Sequence, residues 1–170
     1  MGVLSLFKGN KSGAAVTSDG LLGVVKEYLN AEQLLFTQDH GEDPKVYLNI
    51  QYANVALSTY FMSLQDHACL IYYVKVPSVA PEGRRKEVLE FLSRINYGTA
   101  LGGFIMDVET GDIFYKVAFD VEEGKLSTAM VRNMMTAAAS TVDYYYPALV
   151  SVMYSHAIPA VAIREAQAQS

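Results

Sequence analysis

Residues 46 to 52 read VYLNIQY, with Val46, Leu48, Ile50 and Tyr52 alternating with Tyr47, Asn49 and Gln51. A period of two sends successive side chains to opposite faces of an extended strand, so this stretch predicts a sheet with one face on a core and one wet face. The pattern returns later, where Ile113, Tyr115, Val117 and Phe119 alternate with Phe114, Lys116 and Ala118. Strands of this kind restrict the chain to an antiparallel sheet whose helices gather on one side.

The rest of the chain supplies those helices. Leu21, Leu22, Val24, Val25, Tyr28 and Leu29 form one apolar stripe behind a Ser18 or Asp19 cap. QLLFTQ (33 to 38) is a short strand candidate, and DHGEDPK breaks it with Gly and Pro. VALSTYFMSL and ACLIYYVKV continue as strands, with Gln65, Asp66 and His67 as the turn of an antiparallel meander. Pro81 opens a helix whose buried stripe is Val88, Leu89, Leu92 and Ile95, and Gly98 is a candidate left-handed cap. A hairpin turning at Thr110-Gly111 follows, and Ser127 or Thr128 starts the last long helix. The expectation is an α+β fold with an antiparallel sheet of five or six strands and helices packed on one face. The element order is α, β meander, α, β hairpin, α. Residues 1 to 17 read as a flexible amino-terminal tail, 18 to 157 as a single domain and 158 to 170 as a carboxy-terminal tail.

Near the end of the last helix stands DYYYPAL (143 to 149). Three consecutive helical residues point roughly 100° apart, so they cannot all enter one core. A helical wheel centred on Tyr145 gathers Met134, Ala138, Val131 and Thr141 around it, with Asp143, Ser140, Thr136 and Arg132 opposite. Tyr145 is therefore expected in the core. Tyr144 and Tyr146 fall on the two borders, where they can cover core edges or serve a subunit or partner surface. Pro147 is expected to kink or end the helix, because its ring collides with the carbonyl of Asp143.

Composition narrows the function. The chain has 170 residues, 51% of them hydrophobic, and a formal net charge of −5. No apolar run reaches the roughly 18 residues of a membrane span, VLSLF is too short for a signal-peptide core, and Leu6 stands where a myristoylation motif needs Ser or Thr. A cytoplasmic protein is the expectation. The single cysteine, Cys69, excludes an intramolecular disulfide and reads as an inert buried thiol. The only basic run, Arg84-Arg85-Lys86, precedes Glu87 and Glu90 and reads as a solvated helix face, so no nucleic-acid partner is expected.

No catalytic set emerges. Asp39, His40, Glu42 and Asp43 have no second His or Cys cluster to complete a metal site, and they read as a solvated loop. GTALGG (98 to 103) runs from helix to strand, opposite to a phosphate loop, and KGNKS (8 to 12) lacks the first glycine of that motif. His67 and His156 read as solvated. Asp107 and Asp112 lie across a turn, where carboxylates repel or cap amides. No catalytic residue, metal or cofactor is assigned.

The order of features from residue 76 to 150 resembles the bacterial YbjN family: Asn96, then Gly102 or Gly103 with Phe104 and Asp107, then Gly111, Tyr115 and Lys116, then Asp143, Tyr145 and Pro147. The family's proteins look like type III secretion chaperones in fold. The resemblance implies a homodimeric α+β domain with no established catalytic residue. Together with 12 Tyr and no Trp on an acidic chain, it leads to a non-enzymatic protein-binding module, chaperone-like or regulatory, acting as a homodimer on a protein or peptide partner. Tyr144, Tyr146 and Phe114 are the candidate interface residues. The alternative is a small-ligand sensor with an apolar pocket between sheet and helices.

Overall fold

The computed structural model describes residues 18–64, 68–121 and 125–168. The expected tail at 1–17 and the turn at 65–67 lie outside the described residues.

Helix α1 (Ser18–Ala31) leads into β1 (Thr37–Asp39), β2 (Lys45–Gln51), β3 (Ala56–Leu64) and β4 (Cys69–Lys75). A 3-10 turn (Glu82–Arg84) and α2 (Arg85–Gly98) follow, then β5 (Gly103–Met106), β6 (Ile113–Asp120), α3 (Thr128–Tyr154) and α4 (Pro159–Ala168). The six strands form one antiparallel sheet in the order β1-β2-β3-β4-β6-β5. The hairpin thus adds its second strand to the meander and leaves β5 at the edge, against α2.

One sheet face is the core. Val46, Leu48, Leu57, Phe61, Leu70, Tyr72, Val74, Ile113, Tyr115 and Val117 meet Leu22, Val25 and Leu29 of α1, Phe91 and Ile95 of α2, and Met134, Ala138 and Val142 of α3. Burial of this apolar area is the main force holding the two layers together.

Several local expectations are corrected. The first strand begins only at Thr37, because α1 exits through Gln33 in a left-handed conformation (φ 56°) and Leu34 and Phe36 fold back on the core. In α2 the buried stripe is Val88, Phe91, Leu92 and Ile95, while Leu89 is exposed, since it lies about 100° off that line. Gly98 remains helical, and the cap is an extended Thr99, whose hydroxyl donates to the Ile95 carbonyl at 2.9 Å. The basic run is structural: Arg84 donates to the Val152 carbonyl at 3.1 and 3.0 Å, and Arg85 to the carbonyls of Val108 and Glu109 at 2.8 and 3.0 Å. Within the expected carboxy-terminal tail, Pro159–Ala168 form α4, which buries Pro159 and Ala162 against α2 and α3.

Helix α3 runs through Pro147 without ending. Proline removes one amide donor and leaves the Asp143 carbonyl unpaired within the helix. Asn54, between β2 and β3, supplies the replacement: its Nδ2 donates to that carbonyl at 3.2 Å. The same Nδ2 donates to Asp143 Oδ2 at 3.2 Å, and the amides of Asn54 and Val55 donate to Oδ1 at 2.7 and 3.2 Å. Asp143, placed on the solvent side by the wheel, is therefore buried. The buried face of α3 is centred near Val142, roughly 60° from Tyr145. Tyr145 is half-buried, its ring edge-on to Phe91 at 6.4 Å.

Candidate functional site

Opposite the core, the described residues place no helix on the sheet. The registers align Tyr47, Tyr60, Tyr73 and Lys116 in one row across β2, β3, β4 and β6, with Asn49, Ser58, Lys75 and Phe114 in the next. The rings form a band: Tyr47 to Tyr60 at 5.6 Å, Tyr60 stacked on Tyr73 at 4.9 Å, and Tyr73 edge-on to Phe114 at 6.1 Å. Lys116 Nζ lies 5.7 Å from the centre of the Tyr73 ring, and Lys75 Nζ 5.8 Å from that of Phe114. Met62 extends the apolar surface on one side and Ile105 at the β5 edge on the other, while Ile71, the register partner of Met62, is buried.

The electrostatics follow from packing. Burial pushes the Tyr60 hydroxyl up to about 12, helped by Tyr73 and Tyr47 beside it. Burial also raises the Cys69 thiol, which is half-buried on this face and not fully enclosed as its sequence context suggested. Lys45, Lys75 and Lys116 share this face of a chain whose formal charge is −5. Asp112 takes Lys75 at 3.3 Å and the Thr110 hydroxyl at 3.0 Å, and these hydrogen bonds hold its carboxyl below the ordinary value.

The candidate interface residues do not converge. Phe114 belongs to the band. Tyr144 and Tyr146 lie in the helical layer, the first donating to the Ala166 carbonyl at 2.9 Å and the second 3.0 Å from Ser78 Oγ. Tyr60 and Tyr73 were missed in the sequence because a row across four strands needs the register, and each strand alone contributes only one ring of the band.

A cleft of about 390 Å3 lies where α2, α3 and α4 meet the 99–101 loop. Ile95, Leu101, Tyr115, Tyr145 and Ile163 line it, with Arg94, Thr99, Thr141 and Gln167 as its polar groups. Among the described residues, no group of three or more His, Cys, Asp or Glu side chains could hold a metal ion. No helix among them is long and apolar enough to cross a membrane.

The motif residues of the chain's second half have architectural tasks. Asn96 pairs both backbone groups of Phe104 at the β5 edge, accepting from its amide at 2.7 Å and donating to its carbonyl at 2.9 Å. Gly102 provides a positive φ of 74° beside the Lys116 carbonyl. Asp107 Oδ1 caps the amides of Glu109 and Thr110 at 2.8 and 3.1 Å, and Tyr115 donates to the Leu101 carbonyl at 2.6 Å. Asp143 and Pro147 form the Asn54 clamp.

A two-layer α+β domain with an aromatic sheet face on which the described residues place no helix, and with no catalytic set assembled among them, is the class these observations define. Residues 22–151 match the family YbjN, described as "Putative bacterial sensory transduction regulator", and the chain belongs to that family. No curated protein matches it in sequence. It is similar in structure to YbjN of E. coli, described as a "putative transcription regulator". That similarity has a TM-score of 0.56 and 11% identity over 74% of this chain and 91% of that one. It is also similar to a chain of the HopA1-SchA chaperone-effector complex, with a TM-score of 0.50 and 13% identity over 76% of this chain and 94% of that one. At such identities the likeness defines the fold.

Proposed function

We propose that this chain is a non-enzymatic protein-binding module, chaperone-like or regulatory, which acts as a cytoplasmic homodimer and holds a protein or peptide partner on its open sheet face. The aromatic band carries this reading. Tyrosine, phenylalanine and methionine are enriched at protein interfaces, where rings bury large areas at small entropic cost. Six strands about 4.8 Å apart, three to nine residues long, offer a face of roughly 600 Å2. That approaches the ~800 Å2 each partner contributes to a standard interface. The rings of Tyr60 and Tyr73 already stack on each other, and Lys116 sits over Tyr73, so flat stacking of nucleic-acid bases is disfavoured. The chaperone-effector complex among the structural neighbours supports a polypeptide partner.

The test is native mass spectrometry of the chain from its own host, beside Tyr73→Thr and Phe114→Thr variants, which keep strand propensity while removing the rings. A polypeptide retained by the natural chain and lost by both folded variants is the expected result. Equal retention by the variants refutes the assignment of the face. The cleft of about 390 Å3 favours a second reading, a small-ligand sensor. A small-molecule adduct without any polypeptide would favour that reading over the first.

A further inference from the structure

The family match ends at residue 151, and α4 begins at Pro159, beyond it. This added helix lies in the groove between α2 and α3. It presents Pro159, Ala162, Ile163 and Ala166, spaced i, i+3, i+4 and i+7, the arrangement of a helix laid in an apolar groove. Only Pro159 and Ala162 of this stripe are buried. Its polar tethers are exposed: Tyr144 to the Ala166 carbonyl at 2.9 Å and Gln167 Nε2 to Tyr145 Oη at 3.3 Å. The end of α3 is held differently. Arg84 binds the Val152 carbonyl, Tyr146 meets Ser78, and Tyr154 donates to the Val79 carbonyl at 3.1 Å. These bonds anchor α3 to the segment before α2, and Arg84 Nη2 also donates to the Ala157 carbonyl in the connection, at 3.4 Å.

Between the anchored and the lightly held helix run only Ser155 to Ile158, and His156 there has a φ of 59°. A non-glycine residue in that region stores strain. A short, strained hinge before an element that docks on its own domain is the arrangement that invites exchange between copies. We infer that the α2–α3 groove is a helix-docking surface whose occupant in the homodimer is α4 of the second copy. This rests on the homodimer reading above. Exchange keeps every groove contact, relaxes two hinges and brings two domains together, which is why a second copy is the occupant the structure favours.

The experiment uses full-length chain in two populations, both Cys69→Ala. One is uniformly 15N-labelled. The other is unlabelled and carries Gln167→Cys with a nitroxide, next to Ala137 and Thr141 across the cleft. The populations are mixed, unfolded and refolded together. Sedimentation as a dimer, with broadening of the Ala137 and Thr141 amides in the 15N copy, is the expected result. His156→Gly relaxes the hinge of the unexchanged form in both copies, so it should raise the dimer dissociation constant roughly 30- to 900-fold. A dimer without such broadening, or one indifferent to His156→Gly, overturns the exchange and leaves the homodimer reading standing. A monomer at high micromolar concentration overturns both.

Discussion

Asn54→Ala, measured with and without Pro147→Ala, tests whether a residue between two strands completes a helix that proline has interrupted. Asn54 Nδ2 makes two bonds to Asp143, at 3.2 Å to Oδ2 and 3.2 Å to the carbonyl. A hydrogen bond to a charged group is worth roughly 1.5–3 kcal/mol and a neutral one about 1 kcal/mol. Because Asn54 is exposed, solvent competes and the lower ends apply. Asn54→Ala should therefore cost about 2.5 kcal/mol, about 1 kcal/mol of it from the carbonyl. The backbone amides of Asn54 and Val55 keep their bonds to Oδ1, so the loop stays in place. Pro147→Ala returns an amide to the helix and should recover part of the ~3 kcal/mol that an interior proline costs. That amide takes over the carbonyl, so in the alanine background Asn54→Ala should cost only about 1.5 kcal/mol. The coupling energy is the difference, about 1 kcal/mol, and urea unfolding of the four proteins measures it. If the two costs agree within about 0.3 kcal/mol, Asn54 does not substitute for the missing amide and the reasoning fails.

Gly102→Ala should lower stability by about 2–4 kcal/mol in urea unfolding, since its Cβ would stand 2.6 Å from the Lys116 carbonyl oxygen at a φ of 74°. Tyr145→Ala should cost about 1–2.5 kcal/mol, less than Tyr115→Ala at about 3–5 kcal/mol, because Tyr145 is half-buried and Tyr115 wholly buried; equal unfolding midpoints would contradict the burial argument. Burial raises the hydroxyls of Tyr28, Tyr52, Tyr60, Tyr72 and Tyr115, so the folded chain holds these protons more tightly than the unfolded one. Stability should then be complete below about pH 10 and fall as pH rises toward 12, read as a urea midpoint that drops together with a delayed phenolate absorbance.

The sheet was legible because alternation is local: Val46 to Tyr52 and Ile113 to Phe119 show their two faces without a partner strand. The helical layer was less legible, and α3 shows why. A wheel ranks residues by hydropathy alone, so it sent Asp143 to solvent and Tyr145 to the core. The Asn54 clamp, 89 positions away in the chain, rotated the buried face toward Val142. Helix α4 escaped notice because two of its four groove-facing residues are alanine, whose periodicity carries little hydropathic contrast. The aromatic band needed the registers of β2, β3, β4 and β6 together, since a row of rings exists only after strands pair.

The three tyrosines of DYYYPAL show how one short run can join several parts of a fold. Helical geometry forces the rings roughly 100° apart, so at most one could have been central to the core. The core takes Val142 and Leu149 instead and leaves all three tyrosines around its margin. The hydroxyls then meet two regions: Tyr144 and Tyr145 meet α4, through the Ala166 carbonyl and the Gln167 side chain, and Tyr146 meets Ser78 ahead of α2. Phenylalanine would cover the same apolar ground but lose every one of these bonds, and tryptophan would offer only a donor. The proline that follows frees the carbonyl that Asn54 takes. Within one turn, residues 143 to 147 thus bind α3 to the β2–β3 connection, to the segment before α2 and to α4. Two of these attachments belong to the family-matched domain, and the third reaches beyond it, to the helix assigned to exchange.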